Sequence, residues 1–176
     1  YDQIIYFFLI NLTVESSRMS EKPKKLESFF PEGKCFFCGP KNPHGMHLTF
    51  ESLGGDPEEL RSIMTPPEHM TGFGNIFHGG FQSALLDEIM GWCTLHSTGK
   101  VGLTHSLAIE LKKPVYVGKP IELRCRIKEH RKRKVELEGE ILNEAGDVCA
   151  TAKGIYLTME IDKFEKLTGV RPKTAE

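Results

Sequence analysis

Residues 74–92 read GNIFHGGFQSALLDEIMGW, a glycine-rich loop running into an apolar stretch that has no breaker before Gly91. His78-Gly79-Gly80 stands where the helix should begin. Backbone N–H groups in the first turn of a helix have no partner within it, and the helix dipole adds partial positive charge there. With glycines at 79 and 80 no side chain fends off a ligand, so this turn suits a carbonyl oxygen that becomes negative during a reaction. Spaced at about 100° per residue, Phe81, Leu85, Leu86, Ile89, Trp92 and Cys93 form one broad apolar face. Gly80, Ser83, Asp87, Gly91 and Thr94 form the opposite strip. Asp87 thus sits among small residues, where another segment can approach closely. Glu88 projects from the apolar face between Leu85 and Trp92. Taken singly, Asp87 reads as a solvated carboxylate, Glu88 as a satisfied half-buried one, and the glycines as helix-start chemistry.

Outward from this helix the chain reads as α+β. Met46–Leu53 and Glu59–Thr65 suggest a hairpin, stopped by Pro66-Pro67. The helix is expected over about 79–97, ended by Gly99. Four β-like segments follow at Leu103–Lys113, Pro120–His130, Arg133–Leu142 and Val148–Met159, and Ile161–Leu167 suggests a short terminal helix. Short connections between the four segments predict an antiparallel meander of about six strands with one buried helix.

Composition narrows the function. With 39% apolar and 27% charged residues over 176 positions, the chain can build one ordinary core. A formal net charge of −1 gives no broad basic surface for nucleic acid or membrane. The basic run His130-Arg131-Lys132-Arg133-Lys134 falls at a predicted turn and has no interleaved aromatic platforms, so it is not read as a nucleic-acid site. Scattered cysteines at 35, 38, 93, 125 and 149 read as free thiols of a reducing compartment, and the expected location is cytoplasmic. Cys35, Cys38, His44 and His47 spell C-x2-C-x5-H-x2-H, but the loop between the pairs is shorter than the ~12 residues usual in zinc fingers. The segment is therefore read as a compact turn, and no metal is expected. Residues 1–30 are expected to be an extension, 31–160 the domain and 161–176 a tail. Ile4–Leu12 is too short an apolar run to span a bilayer, and 1–18 read as an upstream piece that precedes Met19.

HGG with a carboxylate nine positions after the histidine resembles the PaaI-type branch of the hotdog-fold acyl-CoA thioesterases, within the 4-hydroxybenzoyl-CoA thioesterase-like superfamily. The resemblance extends upstream to CFFCGPKNPHGMHLTF (35–50) and downstream to LAIELKKPVYVGKP (107–120), which follows Thr104. It ends with AGDVCATAKGIYLTM (145–159). HGG alone is a weak motif; these pieces in this order are a strong one.

The resemblance implies a long central helix wrapped by an antiparallel sheet, and hydrolysis of an acyl-CoA thioester without a cofactor, coenzyme A being part of the substrate. It implies that the Gly79 N–H holds the carbonyl oxygen with His78 assisting, that Asp87 is nucleophile or general base, and that Thr104 positions the water. Related thioesterases often carry Asn six residues before the histidine, where this chain has Gly72; its nearest Asn is Asn75. Gly80, Asn75, Phe77, Met90 and Glu88 (the reserve carboxylate) are candidates for substrate contact. Lys112, Arg131 and Arg133 are candidates for the phosphates of coenzyme A. Gly79 and Asp87 lie eight residues apart on one helix, so about 12 Å separates them along its axis. One helix cannot bring both to one carbonyl. The expected partner is therefore a second copy, in a homodimer or a dimer of dimers. The competing reading is a hotdog module that binds an acyl thioester without cleaving it. A hotdog dehydratase would need an Asp and His a few residues apart in a differently built loop, which is not found.

Overall fold

The computed structural model describes residues 22–55 and 58–173. The segment 1–18 lies outside the described residues. One long helix, α1 (Gly79–Thr98), lies across an antiparallel sheet. The strands are β1 (Lys24–Lys25), β2 (Glu51–Ser52), β3 (Glu59–Met64), β4 (Val101–Leu111), β5 (Ile121–Arg131), β6 (Lys134–Asn143) and β7 (Val148–Met159). A 3-10 turn spans Glu68–Met70, and a short helix, α2 (Ile161–Thr168), follows β7. The seven strands are ordered β1-β2-β3-β5-β6-β7-β4.

The alternation in β5 and β6 works as expected. Ile121, Leu123 and Cys125, and then Val135, Leu137, Gly139 and Ile141, turn to the core, while the glutamates and arginines between them face outward. Leu85, Leu86, Ile89, Met90 and Cys93 meet them from α1 with no exposed surface. Two strand glycines set how close the helix sits. A Cβ at Gly139 would lie 3.0 Å from the Met90 methyl, and one at Gly154 only 2.7 Å from its sulfur. Interior glycines weaken a strand unless something must approach it closely, and here Met90 does. The helix starts and ends where its sequence predicts; the His78 side chain caps it, and Gly99 closes it in the left-handed region at φ 66°.

The expected meander holds for β5–β6–β7 but not for β4, which pairs with β7 at the far edge of the sheet. Residues 112–120 carry the chain back across. Pro114 and Pro120 cannot donate to a ladder, and this crossing docks instead on the loop before α1, where the Phe77 N–H donates to the Val115 carbonyl at 2.8 Å. The outer edge of β4, eleven residues long, has no paired strand among the described residues. Leu103 and Leu111 are exposed along this strand.

Two boundaries also differ from the sequence reading. Met46–Leu53 pairs as a strand only at Glu51–Ser52. His47 takes a positive φ of 51°, which breaks the extended run, and the N–H groups of Met46 and Leu48 donate to Phe36 and Phe37 instead. The domain also reaches further toward the N-terminus than residue 31. Lys24–Lys25 pairs with β2, and Phe29 is buried with its ring 4.8 Å from that of Trp92. The tail returns to the same place, with the Lys173 N–H donating to the Phe29 carbonyl at 2.7 Å.

Candidate active site

Asp87 is half-buried on α1, over the pairing of β4 with β7. The ladder sets Thr104 opposite Tyr156, and the register shifts between Thr104 and Ser106. Both hydroxyls reach the same carboxylate oxygen: Thr104 donates to Asp87 Oδ1 at 2.8 Å and Tyr156 at 2.6 Å. The Tyr156 hydroxyl also lies 2.9 Å from the Asp87 backbone carbonyl. Burial, and then the Asp87 carboxylate, push the Tyr156 phenol well above its ordinary value, so it stays a donor. Oδ1 is thus anchored twice, and Oδ2 has no hydrogen-bond partner among the described residues. A carboxylate held in this way, with one oxygen free, can serve as general base or as nucleophile.

The small-residue strip has a use within the chain as well. A Cβ at Gly102 would lie 2.7 Å from the Thr94 methyl, so Gly102 lets β4 close onto the helix. Thr94, placed by the helical layout on the outward strip, is fully buried. A cavity of about 250 Å³ opens beside Asp87, its walls including Glu88, Cys35, Trp92, Thr104 and Tyr156. A larger groove of about 450 Å³ runs among Arg124, Glu138 and Lys153 and includes none of Asp87, His78, Gly79 or Thr104.

The other half of the predicted chemistry sits at the start of α1. His78 Nδ1 accepts the Gly80 N–H at 2.9 Å, which leaves Nε2 to carry the ring proton. Phe81 and Gln82 donate to the His78 carbonyl. The Gly79 N–H has no acceptor among the described residues, and a Cβ on Gly79 would meet only the tip of Leu111, at 2.7 Å. Gly72, where an Asn was sought, lies under the histidine: a Cβ there would be 3.3 Å from His78 Cα and 3.4 Å from its ring. Asn75 is exposed and uses its carbonyl to accept the Val117 N–H.

The remaining candidates are scattered. Phe77 and Met90 are fully buried, Phe77 stacked on Phe81 at 6.0 Å and Met90 against Gly139 and Gly154. Both are core residues without surface to offer a substrate, which corrects their reading as pocket lining. Lys112 pairs with Glu110 at 3.6 Å and Arg131 with Glu129 at 2.6 Å, while Arg133 Nε donates to the Thr158 carbonyl at 3.2 Å. Lys112 follows Leu111 and so lies toward the Gly79 end. Arg131 and Arg133 flank the turn joining β5 to β6, at the end of the sheet where Val135 pairs with Tyr156.

Glu88 takes different company. Its Oε1 accepts the Trp92 indole N–H at 3.2 Å, and the Cys35 thiol lies 3.5 Å from its Oε2. Burial pushes the Glu88 carboxyl up to about 7. The hydrogen bond between the two thiols pulls Cys35 down to about 5 and pushes Cys38 up. His44 and His47 are exposed and take no part in this cluster.

Tyr156 is the site residue the sequence reading missed. The signal was there: a buried tyrosine needs a partner for its hydroxyl, and the alternation of β7 turns this one inward. Tyr156→Phe should lower kcat roughly tenfold, the size of one lost charge-assisted hydrogen bond, with a smaller change in KM. Steady-state kinetics with a matched thermal melt check this, and an unchanged kcat would remove Tyr156 from the site.

Residues 74–150 match the family model described as Thioesterase superfamily. Solved structures share the fold. A thioesterase superfamily protein, RHA08564, superposes with a TM-score of 0.63 at 21% identity, over 88% of this chain and 81% of its own. The smu.793 protein of Streptococcus mutans UA159, solved bound to acetyl CoA, gives 0.56 at 13% identity, over 81% and 92%. The PaaI protein of E. coli, from its phenylacetic acid degradation operon, gives 0.54 at 19% identity, over 57% and 72%. No curated protein matches the sequence. The helix laid across an antiparallel sheet is the hotdog fold that these structures share, and residues 74–150 are similar to the thioesterase superfamily.

Proposed function

We propose that the chain hydrolyses an acyl-CoA thioester to the free acid and coenzyme A, at a site shared between two copies. The observation that carries this reading is the Asp87 carboxylate, anchored on one oxygen by Thr104 and Tyr156 and free on the other beside a cavity. The Gly79 N–H receives the thioester oxygen, where the unpaired amide and the helix dipole favour the developing negative charge. Asp87 Oδ2 delivers the attack, through a water or directly, and the sulfur leaves as the coenzyme A thiol.

These two parts lie about 12 Å apart along one helix, too far for one carbonyl. The open edge of β4 suggests how a second copy solves this. In an antiparallel pairing of two β4 edges about a two-fold axis, Thr104 of one strand can stand opposite Leu111 of the other. Leu111 touches Gly79 and Thr104 holds Asp87, so this register brings Gly79 of one protomer toward Asp87 of its partner. The exposed, unpaired edge is what such a partner would cover. Lys112 and the Arg131–Arg133 turn supply cations for the coenzyme A phosphates. The acetyl CoA bound by smu.793 supports ligands of this class. Among the described residues no helix is long and apolar enough to cross a membrane.

A thiol-release assay over acyl-CoAs of graded chain length and aromatic character tests the reading. Turnover of at least one class is expected. Tight binding of acyl-CoA with no thiol release from any of them would make the chain a binding module instead.

A further inference from the structure

The Cys35–Cys38 turn and Glu88 have no role in the hydrolysis just described, although they wall the same cavity. Their donor atoms, two thiol sulfurs and one carboxylate oxygen, all lie within 4.8 Å of one another. They come from segments 53 residues apart, a loop and the middle of α1. We propose that Cys35, Cys38 and Glu88 bind one zinc-class divalent cation, with a fourth position open toward the cavity. This departs from the sequence reading, which expected no metal and, where it weighed one, looked to His44 and His47.

Four observations support the assignment. The Cys35 sulfur and Glu88 Oε2 are 3.5 Å apart. Tetrahedral zinc with Zn–S near 2.3 Å and Zn–O near 2.1 Å sets neighbouring sulfur and oxygen ligands about 3.6 Å apart. The loop also holds the two cysteines in one tight turn. Gly39 closes the Cys-x-x-Cys turn with its N–H on the Cys35 carbonyl at 3.0 Å. A Cβ on Gly39 would stand 2.3 Å from the Cys35 nitrogen, so only glycine fits. Trp92 orients the carboxylate from behind, its indole N–H on Oε1 leaving Oε2 to face the thiols, as outer partners orient metal ligands. Finally, Glu88 makes no ion pair among the described residues, where its partners are Trp92 and Cys35. Two soft sulfurs with one oxygen favour zinc over magnesium or calcium. Bound there, the metal clips the 35–38 loop to α1 one residue from Asp87 and fixes that wall of the cavity.

The full chain, purified anaerobically under reducing conditions, should carry one zinc per chain by elemental analysis. After chelation and dialysis it should take up one cobalt(II) with thiolate-to-cobalt charge-transfer absorption. Saturating zinc should raise Tm by roughly 5–10 °C, the effect of a ligand at about 100 times its Kd on a domain of this size. Cys38→Ser should lose the charge-transfer band while circular dichroism shows the fold retained. Glu88→Gln should keep the band but bind cobalt at least about tenfold more weakly. His47→Ala should change neither. The proposal is overturned if the reduced wild type takes up no metal, if Cys38→Ser binds as well as wild type, or if His47→Ala abolishes uptake. It is equally overturned if the anaerobic protein is recovered as a metal-free Cys35–Cys38 disulfide.

Discussion

Asp87→Asn should reduce thioester hydrolysis by about 10²–10⁴-fold, the usual worth of a positioned base or more, with the fold intact. The carboxamide keeps an oxygen at the place of Oδ1, so Thr104 and Tyr156 still have an acceptor. The amide nitrogen takes the place of Oδ2, where no hydrogen bond is lost among the described residues and the basic, nucleophilic lone pairs are. Stability should therefore stay within about 1 kcal/mol of wild type, the net worth of one altered hydrogen bond. Kinetics and a thermal melt on the same preparation check both halves. Asp87→Ala is the harsher control: it leaves the Tyr156 hydroxyl only the backbone carbonyl of residue 87, at 2.9 Å, as a fallback acceptor. If Asp87→Asn melts many degrees lower, the carboxylate is a structural partner of Tyr156. If it stays active, the attack comes from elsewhere.

What the sequence showed and what it hid divide along physical lines. Periodicity is local, so the four long strands were legible to within two residues, as were both ends of α1. Pairing is not local: nothing in the alternation of residues 101–111 says that this strand lies beyond β7 rather than beside β5. Phe77 and Met90 resembled pocket residues because an apolar side chain reads the same whether it lines a cavity or fills a core. The helical layout placed Asp87 correctly on a strip of small residues, but part of that strip, Thr94, is closed by Gly102 of the chain's own β4. Tyr156 hid because its partner is 69 residues away in sequence. The Cys35–Cys38–Glu88 cluster hid for the same reason: the third donor was sought among nearby histidines and comes from the helix instead.

The composite site makes the second large prediction. Gly79→Pro deletes the one amide said to hold the thioester oxygen. Proline is tolerated in the first turn of a helix, and His78 before it already has φ −61° and ψ 131°, the extended conformation that a following proline requires. The Leu111 tip near Gly79 is the flexible end of a side chain and can yield. Gly79→Pro alone should be as inactive as Asp87→Asn alone. Mixed and allowed to exchange subunits, half of the dimers formed are hybrids, and each hybrid holds one site with an intact Gly79 and an intact Asp87. Activity should rise from near zero to about a quarter of that of the wild type. The measurement is thiol release from the mixture, with exchange followed independently by native mass spectrometry of differently tagged chains. Recovery to about a quarter is the predicted result, and a mixture that demonstrably exchanges yet stays inactive would contradict a site built from Gly79 of one protomer and Asp87 of its partner.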